Sequence, residues 1–246
     1  MAMTEKFGSQ AYDEEMFFSQ FMRRRYRTDS PNISIETPAI LDLIGRPTGK
    51  SVLDIGCGDA SIGFHLLGQG CLSYLGIEGS QNMFDEAIRV LEGSKGKIEL
   101  CSMEEYAYPP EAFDLVISQL VVHYSSDVDA LFSSIFKTLK PGGRFVFSLQ
   151  HPLLTSSFKS TLEGKKRNDW IVDDYFHSGR RVENWMGQKV VKYHRTTGEY
   201  FAALSNAGFK INHLMEPEPD PAYFSNQEEY LRRMRIPLFL AFSCTK

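Results

Sequence analysis

The stretch SVLDIGCGDASIG, residues 51 to 63, places an acid, Asp54, just ahead of two alternate glycines, Gly56 and Gly58. Side chains are missing at the two places where a ligand could press on the backbone, and a carboxylate stands ready to hold a polar group of that ligand. Glu78 ends the next apolar run, YLGIE, 24 residues after Asp54. An acid at such a strand end can accept hydrogen bonds from both hydroxyls of a ribose. Three histidines, His123, His151 and His194, follow apolar runs or precede a helix. An imidazole that titrates near neutrality suits proton removal from a hydroxyl or an ammonium. Dinucleotide chemistry is disfavoured: counting from Gly56 gives Gly58 and then Ser61 where G-x-G-x-x-G wants its third glycine.

The elements that must position these groups alternate. Short apolar segments SVLDI, CLSYLGIE, KIELC, FDLVISQLVV and RFVFSL read as strands, separated by helical patterns. Ser80 can cap and Gly93 can end the helix SQNMFDEAIRVLEG, and Thr37-Pro38 opens a helix that stops at Gly45. Such alternation predicts an α/β protein: a Rossmann-like, doubly wound, mostly parallel seven-stranded sheet covered by helices on both faces. FKINHLM and PLFLAFSC close the sheet, with an antiparallel final pair. The expected organisation is a single domain over 1–246: a helical arm at 1–35, a core at 36–150, a cap at 151–198 and closing helix and strands at 199–246. The cap breaks the rhythm and reads as an insertion rather than a sheet element.

Composition limits the rest. The chain has 246 residues, 42% of them hydrophobic, and a net charge of −4. That balance supplies no general basic field for RNA or DNA, and the clusters Arg23-Arg24-Arg25 and Lys165-Lys166-Arg167 read as solvated faces. Four scattered cysteines show no metal spacing, with Cys71 and Cys101 read as small buried hydrophobes. Lack of an apolar leader or a long apolar run implies a soluble, cytoplasmic protein, monomer or homodimer, with no membrane or nucleic-acid partner and no metal.

The pattern D-I-G-C-G-D resembles the first motif of class I S-adenosylmethionine-dependent methyltransferases, in their small-molecule branch, and the likeness covers residues 36 to 150. It implies S-adenosyl-L-methionine as cofactor and S-adenosyl-L-homocysteine as product. By the same resemblance Asp54 holds the methionyl amino group, and the Gly56-Cys57-Gly58 backbone approaches methionine and ribose. Glu78 and Gly79 hold the ribose and Met83 packs on adenine. Ser102 stands where an acid is common, with Met103 beside it, and Gln119 contacts the methionyl end. In such enzymes an N-terminal arm closes over the cofactor, which gives Tyr12 and Arg27 a reach to its carboxylate.

Methyl transfer needs a nucleophile aligned with the S–CH3 bond, and positioning supplies about 7–11 kcal/mol of such barriers. His123 is the first choice to touch the acceptor, His194 the second and His151 the third. Tyr124, Phe18 and Trp185 are candidate acceptor contacts. His65, His177 and His213 read as packing or surface. The resulting expectation is methyl transfer to O or N of a small organic acceptor. A tRNA or other nucleic-acid methyltransferase and a non-catalytic cofactor binder remain the alternatives.

Overall fold

A computed structural model describes residues 4–27, 29–160, 162–163, 166–167 and 169–246; Lys165 of the second basic cluster lies outside them. The chain opens with strand β1 (Glu5–Phe7), a 3-10 turn (Gly8–Asp13) and helix α1 (Glu15–Arg25). A π-helical turn (Asn32–Glu36) runs into α2 (Thr37–Ile44). The core then alternates: β2 (Ser51–Ile55), α3 (Ser61–Gly68), β3 (Ser73–Glu78), α4 (Gln81–Val90), β4 (Lys97–Leu100), β5 (Phe113–Gln119), α5 (Val128–Thr138) and β6 (Leu139–Gln150). After α6 (Pro152–Thr155) come the short β7 (Leu162–Glu163) and β8 (Lys166–Arg167), then β9 (Gly179–Trp185) and β10 (Gln188–His194). Helix α7 (Thr197–Asn206), β11 (Lys210–Met215), α8 (Gln227–Arg233) and β12 (Phe239–Thr245) complete it.

Seven strands form one twisted layer in the order β11-β12-β6-β5-β2-β3-β4. The pairings from β4 through to β6 are parallel, and β12 runs antiparallel between β6 and β11. This is the Rossmann-like α/β sheet expected from the sequence, with its antiparallel closing strand. Period-two alternation sends side chains to two cores. Leu53, Ile55, Val116, Phe145 and Phe147 pack with α5 and α7 on one face. Val52, Leu115, Ile117 and Val146 pack with α2, α3 and α4 on the other. Both faces are buried, so the strands read as near-continuous apolar runs.

Helix boundaries follow local chemistry. The Ser80 hydroxyl accepts the Met83 N–H at the start of α4, and Thr196 with Glu199 forms a reciprocal cap on α7. Between β11 and β12 the chain makes a 3-10 turn and α8, elements the sequence pattern did not reveal.

Residues 151–198 depart from expectation. They are not free of sheet: β9 and β10 form an antiparallel hairpin, and β1 joins β10 in parallel, Glu5 beside Lys189 and Phe7 beside Val191. The N-terminal segment therefore begins as a strand before it becomes helical. Tyr12 meets Phe21 edge to face at 4.9 Å, and Trp185 of the hairpin meets Phe17 at 5.1 Å and Phe21 at 5.8 Å. Among the described residues no helix is long and apolar enough to cross a membrane.

Candidate active site

A cavity of about 880 Å³ lies where the carboxyl ends of β2, β3 and β5 meet the arm and the small sheet. This is the crevice where open α/β sheets take ligands. Gly56, Gly58, Glu78, Gly79, Met83, Ser102, Met103 and Gln119 line one part of it; Tyr12, His123, Tyr124 and Trp185 line another.

The two glycines of the loop have different reasons to be glycine. Gly56 has φ +66°, and a Cβ there would fall 2.4 Å from Val121 Cγ2, so its constraint is internal. Gly58, at φ +57°, has open space where a Cβ would project, on the cavity wall. Glu78 is buried at the strand end, and its carboxylate accepts the N–H groups of Gly58 and Ser80, both at 2.9 Å. Burial pushes its pKa up, opposed by those amides. Leu120, just past β5, holds a left-handed φ of +58° on the cavity wall, an uncommon state for a branched side chain and one that gathers at ligand sites.

The far wall is polar and ringed by aromatics. Lys192 Nζ, almost fully buried, donates to Glu183 at 2.5 Å and to Gln150 Oε1 at 2.9 Å. The same Nζ lies 5.1 Å from the centre of the Trp185 ring and 5.8 Å from that of Tyr124. Tyr12 and Tyr124 are both buried at this wall, and burial raises the pKa of each phenol. His123 is 3% exposed, and its Nδ1 accepts the Gln150 N–H at 3.4 Å. Burial, with Lys192 nearby, drives the His123 pKa well below the ordinary value. The ring is neutral at physiological pH, and with Nδ1 accepting, Nε2 carries the proton. His123 therefore offers a hydrogen bond rather than a base.

Other sequence candidates are placed elsewhere. His194 is buried, its ring nitrogens engaged by the Thr155 hydroxyl at 2.8 Å and the Tyr175 carbonyl at 2.9 Å, so it ties the hairpin to α6 and not to the cavity. His151 caps α6 by accepting the Leu153 N–H and meets Glu216 at 2.9 Å, again away from the cavity wall. Phe18 lies outside the lining; Phe17 and Phe21, four apart and on one helical face, meet Trp185 instead. Arg27 is exposed and paired with Asp29 at 2.9 Å, while Arg24 and Arg25 line the cavity. The first basic cluster is thus not simply a solvated face. Cys57 packs into the core behind the loop and is not part of the cavity wall. Cys101, read as a buried hydrophobe, is half-buried on the wall. His65, His177 and His213 are exposed.

Asp54 is fully buried with the Tyr74 hydroxyl donating to it at 2.7 Å, and it is not part of the cavity wall. Burial pushes its pKa up to about 7. The acid facing that end of the cavity is Glu36, which sequence reasoning passed over within the apolar ISIETPAI. Its carboxylate takes hydrogen bonds from Gln119 Nε2 at 3.1 and 3.2 Å and from the Ser148 hydroxyl. Arg25 reaches Asp59 with two nitrogens at 3.2 Å, and Tyr26 donates to the same carboxylate at 2.7 Å. Despite burial, Arg25 and Tyr26 hold the Asp59 carboxyl below its usual range. Asp13 of the arm accepts the Ser80 hydroxyl at 2.7 Å, and Asn82 donates to the Tyr12 carbonyl at 2.9 Å, so the arm is fastened to the start of α4.

A bulky nucleoside fits this wall. Gly58 leaves room for it, the buried Glu78 carboxylate stands where ribose hydroxyls would be held, and Met83 and Met103 supply apolar surface for a base. Among the described residues no group of three or more His, Cys, Asp or Glu side chains is placed to hold a metal ion.

Comparison with known proteins agrees. A model of a methyltransferase domain matches residues 53–147. A solved structure from Listeria monocytogenes, assigned as an S-adenosylmethionine-dependent methyltransferase, is 34% identical with a TM-score of 0.75, covering 86% of this chain and 97% of that one. An S-adenosylmethionine-dependent methyltransferase from Mesorhizobium loti is 29% identical, TM-score 0.79, over 91% of this chain and 100% of that one. The chain belongs to the S-adenosylmethionine-dependent methyltransferases and is an enzyme of that class. An uncharacterised Haemophilus influenzae protein is 32% identical over 221 residues, 84% of this chain and 85% of that protein. A phosphoethanolamine N-methyltransferase of Triticum aestivum is 33% identical over 114 residues, 46% of this chain, and the match spans 23% of that longer protein.

Proposed function

We propose that the enzyme moves the methyl group of S-adenosylmethionine to an O or N atom of a small organic acceptor held beneath the arm and the hairpin. The observation that carries this reading is one continuous cavity, with the Gly58–Glu78 wall at one part and the His123–Tyr124–Lys192 wall at another. The cofactor, when bound, supplies an electrophilic methyl on a cationic sulfonium. Glu78 holds the ribose; Met83, Met103 and Ser102 flank the base; Gln119, Glu36 and Arg25 receive the methionyl end. In this reading Arg25 takes the part expected of Arg27, and Asp54 acts behind the loop through Tyr74.

The remaining residues orient and desolvate. Donors at His123 Nε2 and Lys192 Nζ hold the acceptor's oxygen or nitrogen neighbours, and the Tyr12, Phe21, Tyr124 and Trp185 rings exclude water. Because His123 is neutral and its Nε2 is a donor, the acceptor atom arrives with its lone pair free, as a neutral amine or an oxyanion does. Phosphoethanolamine, the substrate named for the wheat relative, is an ammonium at neutral pH and must first give its proton to water before its nitrogen can take the methyl group.

Calorimetry with S-adenosylhomocysteine tests the first half, with micromolar binding expected. Mass-spectrometric detection of methylated products from a small-molecule extract tests the second. Tight NAD binding with no binding of S-adenosylhomocysteine would refute the reading, and transfer to tRNA but to no small molecule would refute the choice of acceptor.

A further inference from the structure

The cavity has a second basic feature that methyl transfer does not use. Arg24 of α1 and Arg232 and Arg233 of α8 all line it, brought together from segments about 200 residues apart in the chain. Arg232 makes a two-pronged contact with Glu229, at 2.5 and 3.0 Å, and Arg233 shares that carboxylate at 2.7 Å. Arg233 Nε is buried without a hydrogen-bond partner. Burial and the neighbouring Arg232 lower the Arg233 pKa to about 10, so the guanidinium stays charged in an environment that disfavours it. Arg235 lies over Trp170, another lining residue, at 4.7 Å. Guanidinium groups gathered on a cavity wall, with donors beyond those that meet the single Glu229 carboxylate, favour an anion there.

We propose that the acceptor carries an anionic group, carboxylate or phosphate, and that Arg24, Arg232 and Arg233 hold it while its nucleophilic atom faces His123. The inference rests on the methyl-transfer reading above and adds the acceptor's charge. Arg25, one residue from Arg24, turns its Nε and Nη2 to Asp59 of the glycine loop, on the side proposed for the methionyl end, which separates the two roles along α1.

The test uses the full chain saturated with S-adenosylhomocysteine and follows its melting temperature with inorganic phosphate, benzoate or uncharged benzyl alcohol. Phosphate or benzoate should raise the melting temperature and benzyl alcohol should not; which anion acts more strongly tells the phosphate source from the carboxylate. Arg233→Gln should weaken the effective anion affinity by about tenfold. Arg233→Lys should restore part of it, and Arg24→Gln, further from the core, gives an independent reading if Arg233→Gln folds poorly. Equal shifts in wild type and both Gln variants, or no shift by either anion, would overturn the proposal. So would a tenfold loss of S-adenosylhomocysteine affinity in Arg233→Gln, which would make these guanidiniums ligands of the cofactor's own carboxylate. Failure of wild type to bind S-adenosylhomocysteine at all would instead remove the methyl-transfer reading beneath it.

Discussion

The two parts of the cavity wall are built by different means. The part proposed for the cofactor comes from the ends of four neighbouring strands, β2, β3, β4 and β5, where a left-handed Gly58 and the buried Glu78 carboxylate make much of the surface. The part proposed for the acceptor is assembled from β1, α1, the turn after β5 that carries His123 and Tyr124, the β9–β10 hairpin and α8, segments far apart in sequence that meet only when the chain is folded. The first stands directly on the deep sheet core. The second is held by edge pairing and rings, which leaves room for a different acceptor with few changes to the fold.

That contrast yields tests in descending size. His123→Ala should lower kcat by about 10²–10³-fold through loss of an orienting donor, with S-adenosylhomocysteine affinity unchanged. Since His123 stays neutral, kcat should show no ionisation of this ring from pH 6 to 9; a titration lost in the variant would return it to the role of base. On the other wall, Glu78→Ala should cost about 1.5–3 kcal/mol in cofactor affinity by calorimetry and leave acceptor KM nearly unchanged.

Asp54→Asn separates holding the loop from holding the ligand. A buried carboxyl raised to about 7 binds its proton more tightly folded than unfolded. Its ionisation therefore removes stability as pH rises from about 4 to 7. The Asn variant, still able to accept from Tyr74, should be more stable than wild type by about 1–3 kcal/mol at pH 8 and gain little at pH 4. A variant less stable at pH 8 would show that the charge is needed in the fold. The smallest effect is expected for Phe21→Leu, which loses edge contacts to Tyr12 and Trp185, about 0.5–1.5 kcal/mol. It should raise acceptor KM more than it weakens cofactor binding.

The same contrast explains what could be read in the sequence. Alternating apolar runs mark the sheet, its helices and the glycine loop, because strand, cap and turn signals are local. Glu78, Gly79, Met83, Ser102, Met103 and Gln119 stand on the cavity wall for that reason. His123 follows a strand end and was legible too. His194 and His151 have equally suggestive positions, but their partners, Thr155, Tyr175 and Glu216, are set by tertiary contacts that spacing does not encode. Helical phase, not composition, separates Phe17 and Phe21 from Phe18. Pairing of residues 5–7 with 189–191 leaves no pattern in a three-residue strand, so nothing in the sequence marks the small sheet. Lys192 and Glu183 alternate with apolar neighbours as an ordinary amphipathic hairpin would, and only burial reveals them.

Strand β1 is three residues long and sits at an edge, pairing on one side only with β10. Short edge ladders open by local fluctuation, at far lower free energy than global unfolding. In deuterated buffer, amides of Glu5–Phe7 should exchange early, while those of β2 and β5 wait for the whole domain to unfold. The hairpin and the central sheet would then stay folded while the chain's first segment swings aside. A molecule enclosed beneath the arm can leave by that route without melting the site that bound it.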